Sequence, residues 1–293
     1  MYHKGKVLEE TSFMKTFDKN SLRGTIYVLL SAILFSLGGL LIKSVPWSSV
    51  SIQGTRSIFS SVVIGGYMLL TGRKLVFNKS VFFGAICNMA MAFTFVMATK
   101  MTTAANAIVL QFTEPIFVIL LMWLLYKKKP AKDAIVTCLL VFGGILCFFF
   151  ESLSSGGMAG NLLAIFSGFA YALVFLMKKF PGADFESSIL ISNVMSILIG
   201  IPFFVKETNH SATVWGCIVL LGTLQCGLSY VFLSKGLDHV SPVTASLTST
   251  IEPILNPILV AACYEEEIGV LAIIGAILVV GSATIYNLRE AKK

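Results

Sequence analysis

Charge is scarce in this sequence. Asp, Glu, Lys and Arg supply 13% of its 293 residues, about half the share carried by soluble domains. No polar stretch between the apolar runs is long enough to build a water-facing catalytic domain. Catalytic signatures are missing as well. There is no GxxxxGK[ST] phosphate loop, which excludes an ATP-driven pump in one chain. There is no HExxH or GxSxG, and the three histidines, His3, His210 and His239, stand apart at loop or terminal positions. The six cysteines, Cys87, Cys138, Cys147, Cys217, Cys226 and Cys263, sit singly in apolar runs with no CxxC pair. That argues against a disulfide framework or zinc site and for small packing residues. No metal, cofactor or enzymatic activity is expected.

Apolar residues are abundant. The chain is 56% hydrophobic, with 23 Phe and 24 Gly, and its mean hydropathy is +0.86. Glycine at this level suits membrane helices. The expected fold class is an all-α integral membrane protein. The polar N-terminal stretch has no short apolar core before a small-residue cleavage site, so no cleaved signal peptide is expected. Spanning helices need about 20 mostly apolar residues. Ten such segments occur, near 24–43, 51–71, 80–98, 104–126, 132–150, 160–179, 187–205, 214–234, 243–263 and 269–287. With the N-terminus inside, 18 Lys and Arg residues fall on the inner side and only Lys43, Lys100 and Lys206 on the outer. Arg56 is left within a span. This asymmetry gives an N-in, C-in bundle, so the net charge of +7 reports topology and not nucleic-acid binding. Trp47, Trp123 and Trp215 fall near span ends and are expected as interfacial anchors.

The chain also repeats itself. "FTEPIF" around Glu114 and "STIEPIL" around Glu252 lie 138 residues apart, with "KMTTAANA" over "DHVSPVTA" upstream. Residues 24–43 align with 160–179, Phe35 meeting Tyr171. Five spans per half is an odd number, so the halves enter the membrane in opposite senses. Such inverted repeats are a common transporter design, with the substrate near the midplane between them. The expected organisation is a cytoplasmic segment 1–22, repeats 23–150 and 151–288, and a tail 289–293.

Ten spans in two halves, with Glu-Pro in the fourth and ninth, resemble the drug/metabolite transporter superfamily, EamA type. "MTTAANAIVLQFTEPIF" and "VSPVTASLTSTIEPIL" carry the likeness, which extends over nearly all the chain from about residue 22. The acidic residues the family often places after these helices are kept in "YEEE" (264–267) but replaced by "YKKKP" (126–130) in the first half. The resemblance implies alternating access, commonly with efflux of amino acids or related metabolites.

A carboxylate at mid-bilayer costs about 2.5–3.5 kcal/mol on insertion scales, and each Leu, Ile, Phe or Val returns roughly 0.3–0.6. One Glu per span is therefore tolerated, but two at matching positions suggest use. Pro115 and Pro253 each remove a backbone donor and bend the helix, and Pro257 extends the disruption. Freed carbonyls are acceptable beside protein or a wet cavity. Glu114 and Glu252 are thus the leading candidates for substrate binding or proton coupling, with helix glue as the plain alternative. Thr244, Thr248, Glu252 and Asn256 recur every four residues, along one helix face. Gln111, Asn88, Tyr171, Gln225, Ser229 and Tyr230 are the other expected pathway residues, Gln225 and Ser229 sharing a face. Arg56 has three readings: a partner for a substrate carboxylate, a partner for a glutamate, or a side chain reaching outward to the interface.

The leading expectation is a secondary transporter exporting a small polar metabolite across a bacterial plasma membrane, with the lipid bilayer and the small molecule as its partners and the oligomeric state open. Two carboxylates beside Tyr171 and Tyr230 also fit an organic cation such as choline. A membrane scaffold or lipid-handling enzyme would need larger loops or a nucleophile–base set, and neither is visible.

Overall fold

The computed structural model describes residues 19–102, 104–149, 157–255 and 270–290. All regular structure among them is helical. In chain order the helices are α1 (Lys19–Phe35), α2 (Gly38–Ser44), α3 (Ser49–Leu70), α4 (Lys79–Met101), α5 (Ala104–Gln111), α6 (Glu114–Tyr126) and α7 (Lys132–Phe149). There follow α8 (Met158–Leu176), α9 (Phe185–Phe204), α10 (Ala212–Leu220), a π-helical segment (Leu221–Leu228), α11 (Ser229–Leu237), α12 (Pro242–Ser249) and α13 (Val270–Glu290). Asn256, Pro257, Cys263 and the acidic run 264–267 lie outside the described residues.

Among the described residues, six helical stretches are long and apolar enough to cross a membrane: Lys19–Ser44, Lys79–Met101, Asn106–Tyr126, Met158–Lys179, Phe185–Phe204 and Ala212–Leu237. Leu69, Leu70, Leu124, Leu139, Leu198 and Ile277 are exposed on the outside of the bundle, where lipid would cover them. With its apolar composition, this makes the chain an integral membrane protein. Helix α3 has 22 residues, about 33 Å at 1.5 Å per residue. It is less apolar because Gln53, Thr55, Arg56, Ser57 and Ser60 line its buried face.

Short polar side chains start several helices. Ser48, Asn78, Asp184, Ser211 and Ser241 each accept a bond from the backbone N–H three residues on, supplying one of the orphan donors of a helix start. The most extensive packing is α3 on α9, α4 on α8, α7 on α13 and α1 on α11. Glycines permit the closest of these approaches. A Cβ on Gly54 would stand 2.5 Å from the Gly200 Cα, so α3 and α9 meet backbone to backbone. The apolar core falls into two main clusters. One gathers Val28, Ile64, Phe175, Met177 and Phe185. The other gathers Ile42, Trp47, Ile52, Phe112, Ile218 and Leu221.

Candidate functional site

Two helices break at matching places. Helix α5 ends at Gln111 and α6 begins at Glu114, with Phe112 and Thr113 in a turn between them. Helix α12 ends at Ser249, Thr250 and Ile251 form the turn, and helical structure resumes over 252–255. In both, Glu-Pro opens the second half-helix, where a proline needs no N–H partner. Each break has a threonine that returns a bond: Thr113 Oγ1 donates to Leu110 O at 2.7 Å, and Thr250 Oγ1 to Leu247 O at 2.6 Å. The expected kink is therefore an interruption that precedes the glutamate. Pro115 cannot donate to Gln111 O, and that carbonyl lies against Gly168, where a Cβ would approach it to 2.5 Å.

Beside the breaks, at the seam of the two core clusters, lies a small hollow. Arg56, Gln111, Tyr171, Gln225, Tyr230 and Glu252 supply its polar lining, and Phe35, Met91, Ala92, Phe95 and Cys226 the remainder. Its volume is about 30 Å³, room for one or two waters. Phe35 stands edge-on to Tyr230 at 5.2 Å and to Tyr171 at 6.3 Å. Larger spaces lie at the periphery, including an apolar one of about 200 Å³ between α1 and α13.

Arg56 is turned inward and is 3% exposed. Gln53 Oε1 accepts its Nε at 2.9 Å and its Nη2 at 2.5 Å, and Gln225 Oε1 accepts its Nη1 at 3.1 Å. The outward-reaching reading is corrected, because α3 presents this side chain to α10–α11 and not to the bilayer surface. Pairing with a glutamate is corrected too, because both acceptors are amide oxygens. Gln225 is placed by the π segment, whose register also lets Ser229 Oγ bond Leu224 O five residues back at 2.9 Å. Gly222 lies against the Arg56 carbonyl and the Phe59 side chain, and this close approach brings the π segment onto α3.

Of the residues expected to share a site, Gln111, Tyr171, Gln225, Tyr230 and Glu252 meet around the hollow. Glu114 is wholly buried, and among the described residues neither of its oxygens has a hydrogen-bond partner. The Ser246 hydroxyl is near it, from α12, without a well-formed bond. Glu252 Oε2 is likewise buried and without a partner among the described residues. Asn88 lies behind the hollow and donates to Ser192 at 2.9 Å. Two expectations fail. Ser229 is not in the lining of the hollow, its hydroxyl turning back to Leu224 O. Thr248 does not share the face of Glu252, because the break at Thr250–Ile251 separates them. Thr248 donates instead to Thr244 O at 2.6 Å, meets Asn287 and lines the peripheral apolar space. Gln53 and Cys226 were missed. The three-residue spacing of Gln53 and Arg56 was the available signal for the first; nothing singled out the second from the other cysteines.

Side-chain contacts tie the described helices together at both ends of the bundle. At the end carrying Arg73, its Nη1 reaches Glu186 Oε1 at 2.6 Å, and Ser234 Oγ donates to the same oxygen at 2.7 Å. Lys178 pairs with Asp238 at 2.6 Å and also donates to Ser234 O. These bonds join the ends of α3, α8, α9 and α11. Burial alone would lower the Arg73 pKa, but Glu186, Tyr67, Asp238 and Asp184 together raise it above its ordinary value. At the opposite end Trp47 stacks edge-on against Phe204, His210 and Trp215, and its Nε1 donates to Asn209 O at 2.7 Å. Trp47 is therefore a buried cap and not an interfacial anchor, since Phe204, His210 and Trp215 cover its ring and a carbonyl 162 residues away takes its indole N–H. Glu207 Oε1 accepts from Ser48 N at 2.8 Å.

Comparison with known proteins adds to this geometry. The sequence profile described as the EamA-like transporter family matches residues 22–150 and again 158–288. Solute carrier family 35 member G1 of Homo sapiens is 26% identical over 251 residues, spanning 77% of this chain and 68% of its own. The uncharacterized inner membrane transporter YicL of Salmonella typhimurium is 23% identical over 294 residues, spanning 92% and 97%. One protein of known crystal structure shares the fold at a TM-score of 0.78 with 16% identity, over 89% of this chain and 97% of its own.

Proposed function

Given that the chain belongs to the EamA-like transporter family, and so is a membrane transporter and not an enzyme, we propose that it exports a small polar metabolite, an amino acid or related compound, by alternating access. That membership removes the scaffold and lipid-handling readings. The observation that carries the proposal is the polar hollow beside two matching helix breaks, with helices tied together by side-chain contacts toward either end. Only water fits in a space of about 30 Å³, so on this reading the hollow must widen to admit a solute.

The proposed frame is ten spans in two inverted halves, 23–150 and 151–288, N-in and C-in, in a bacterial plasma membrane. The two separate profile matches support the halves. The packing supports their two-fold relation. Helices α3 and α9 occupy equivalent places in the two halves and pair with each other, as do α7 and α13. The α4–α8 and α1–α11 contacts exchange under the same operation. Half-helices meeting beside the hollow are the usual way such a bundle exposes backbone polarity to a substrate.

Glu252 and Glu114 are the proposed coupling pair. Both carry buried oxygens with no fixed donor, so a proton or a substrate ammonium can be taken up and released without breaking an existing bond. Gln111, Gln225, Tyr171 and Tyr230 orient the solute; Asn88 braces the wall. Uptake of labelled amino acids into proteoliposomes, with and without a pH gradient, tests this. Glu114→Gln and Glu252→Gln are expected to abolish gradient-driven flux in correctly folded protein. Undiminished flux in both variants removes the glutamates from the mechanism. A quaternary amine such as choline, transported in place of amino acids, would favour the organic-cation alternative.

A further inference from the structure

Arg56 and Glu252 line one hollow and do not touch. The buried guanidinium has no carboxylate within ion-pair distance among the described residues. Its acceptors are the neutral amide oxygens of Gln53 and Gln225. These bonds use three of its five N–H groups and leave one free on each terminal nitrogen. In the same hollow, Glu252 Oε2 is buried and accepts no hydrogen bond from the described residues. Stripping a cation of water costs several kcal/mol, recovered fully only by a well-placed counter-charge. Amides return part of that. The remaining deficit is the energy that an incoming anion relieves.

We propose that Arg56 is the specificity-determining residue of this site and selects solutes that carry a carboxylate, which bridges its two terminal nitrogens. This deepens the transport reading above and rests on it. A carboxylate matches the fork of a guanidinium with two parallel bonds. Gln53, one turn back on α3, and Gln225, from the π segment, fix the plane of that fork. Gly38 leaves room for this: a Cβ there would stand 3.1 Å from Gln225 Nε2. A phosphate ester brings close to two negative charges against one guanidinium, with Glu252 also in the lining of the hollow. A lone cation meets Arg56 with nothing to neutralise it. A solute with one carboxylate and one ammonium balances both walls.

The test uses the full chain in lipid nanodiscs and follows thermal unfolding and direct binding. The probes are matched sets: the twenty amino acids, their methyl esters, the amines left by decarboxylation, simple mono- and dicarboxylates, and phosphoserine and phosphoethanolamine. At least one carboxylate is expected to stabilise the protein, with its ester and amine at least about tenfold weaker, as for a lost charge-assisted bond. Arg56→Gln is expected to erase that difference between acid and ester. Arg56→Lys, which keeps the charge but loses the fork, is expected to restore it in part. An amine or ester that binds as well as its acid overturns the proposal while leaving transport intact. So does a phosphate ester that binds in preference, or the failure of every carboxylate in the wild-type protein. Flux of none of these solutes in proteoliposomes, together with binding of none, counts against the transport reading itself. The wild-type panel decides the matter even if Arg56→Gln fails to fold.

Discussion

Replacing Arg73 with Gln removes the guanidinium that holds Glu186 at one end of the bundle. The Glu186 side chain is 1% exposed and that of Arg73 36%, with 2.6 Å between the bonded atoms. Exposed pairs are worth about 0.2–1 kcal/mol, whereas breaking a buried pair costs about 3–5. With one partner buried and the other a third exposed, about 1.5–2 kcal/mol is reasonable, since Ser234 still donates to the stranded carboxylate. If the pair exists only while this end is closed, the open population rises by the same energy, about 10- to 30-fold. Cys226 lines the hollow and is buried, so its labelling by a membrane-impermeant maleimide reports the opening. In a variant keeping Cys226 as its only cysteine, Arg73→Gln should speed labelling from the Arg73 side by that factor and leave it unchanged from the Trp47 side. Glu186→Gln should do the same, and the double variant should show less than the product of the two. Equal rates in wild type and both variants would refute the latch.

Gly200→Leu should destabilise the folded protein by about 1–3 kcal/mol, read as a lower Tm, because a side chain there meets the Gly54 backbone at 2.5 Å. Gly222→Val should disturb both Tm and binding, since its new side chain pushes on the Arg56 carbonyl and Phe59. Glu207 gives a pH dependence at the Trp47 end. Burial would raise its pKa, but bonds from Ser51 and Ser48 and the charge of His210 outweigh that and lower it. A carboxyl with a depressed folded pKa stabilises above its unfolded value and loses that contribution as pH falls through the folded one. Fluorescence of Trp47 and Trp215 should therefore stay constant through neutral pH and shift only in acid below the ordinary carboxylate range; Glu207→Gln should remove that transition.

What was legible in the sequence was whatever repeats or recurs locally. Apolar length marked the six long apolar helices, and Glu-Pro marked both interruptions, because proline acts on the backbone of its own helix. Interruptions were nonetheless misplaced by a few residues, since the turn forms where Thr113 and Thr250 can bond back and not at the proline. The face shared by Thr248 and Glu252 existed only for an unbroken helix. The π segment left no pattern of its own, because its register is imposed by Gly222 meeting α3. Trp47 has the composition of an anchor, and only a contact with Asn209, far along the chain, makes it a cap. Arg73 was legible as a charge between two spans, but its bond to Glu186 crosses 113 residues and lies beyond any local spacing.

The two doors of this bundle are fastened by unlike materials. One is held by ion pairs, the other by stacked rings and one indole bond. Dissolved salt weakens the first by screening and leaves ring packing largely untouched. Under the proposed alternating access, a rise in ionic strength on the Arg73 side would therefore favour opening at that end over the other, so dilute and concentrated surroundings would set different resting orientations.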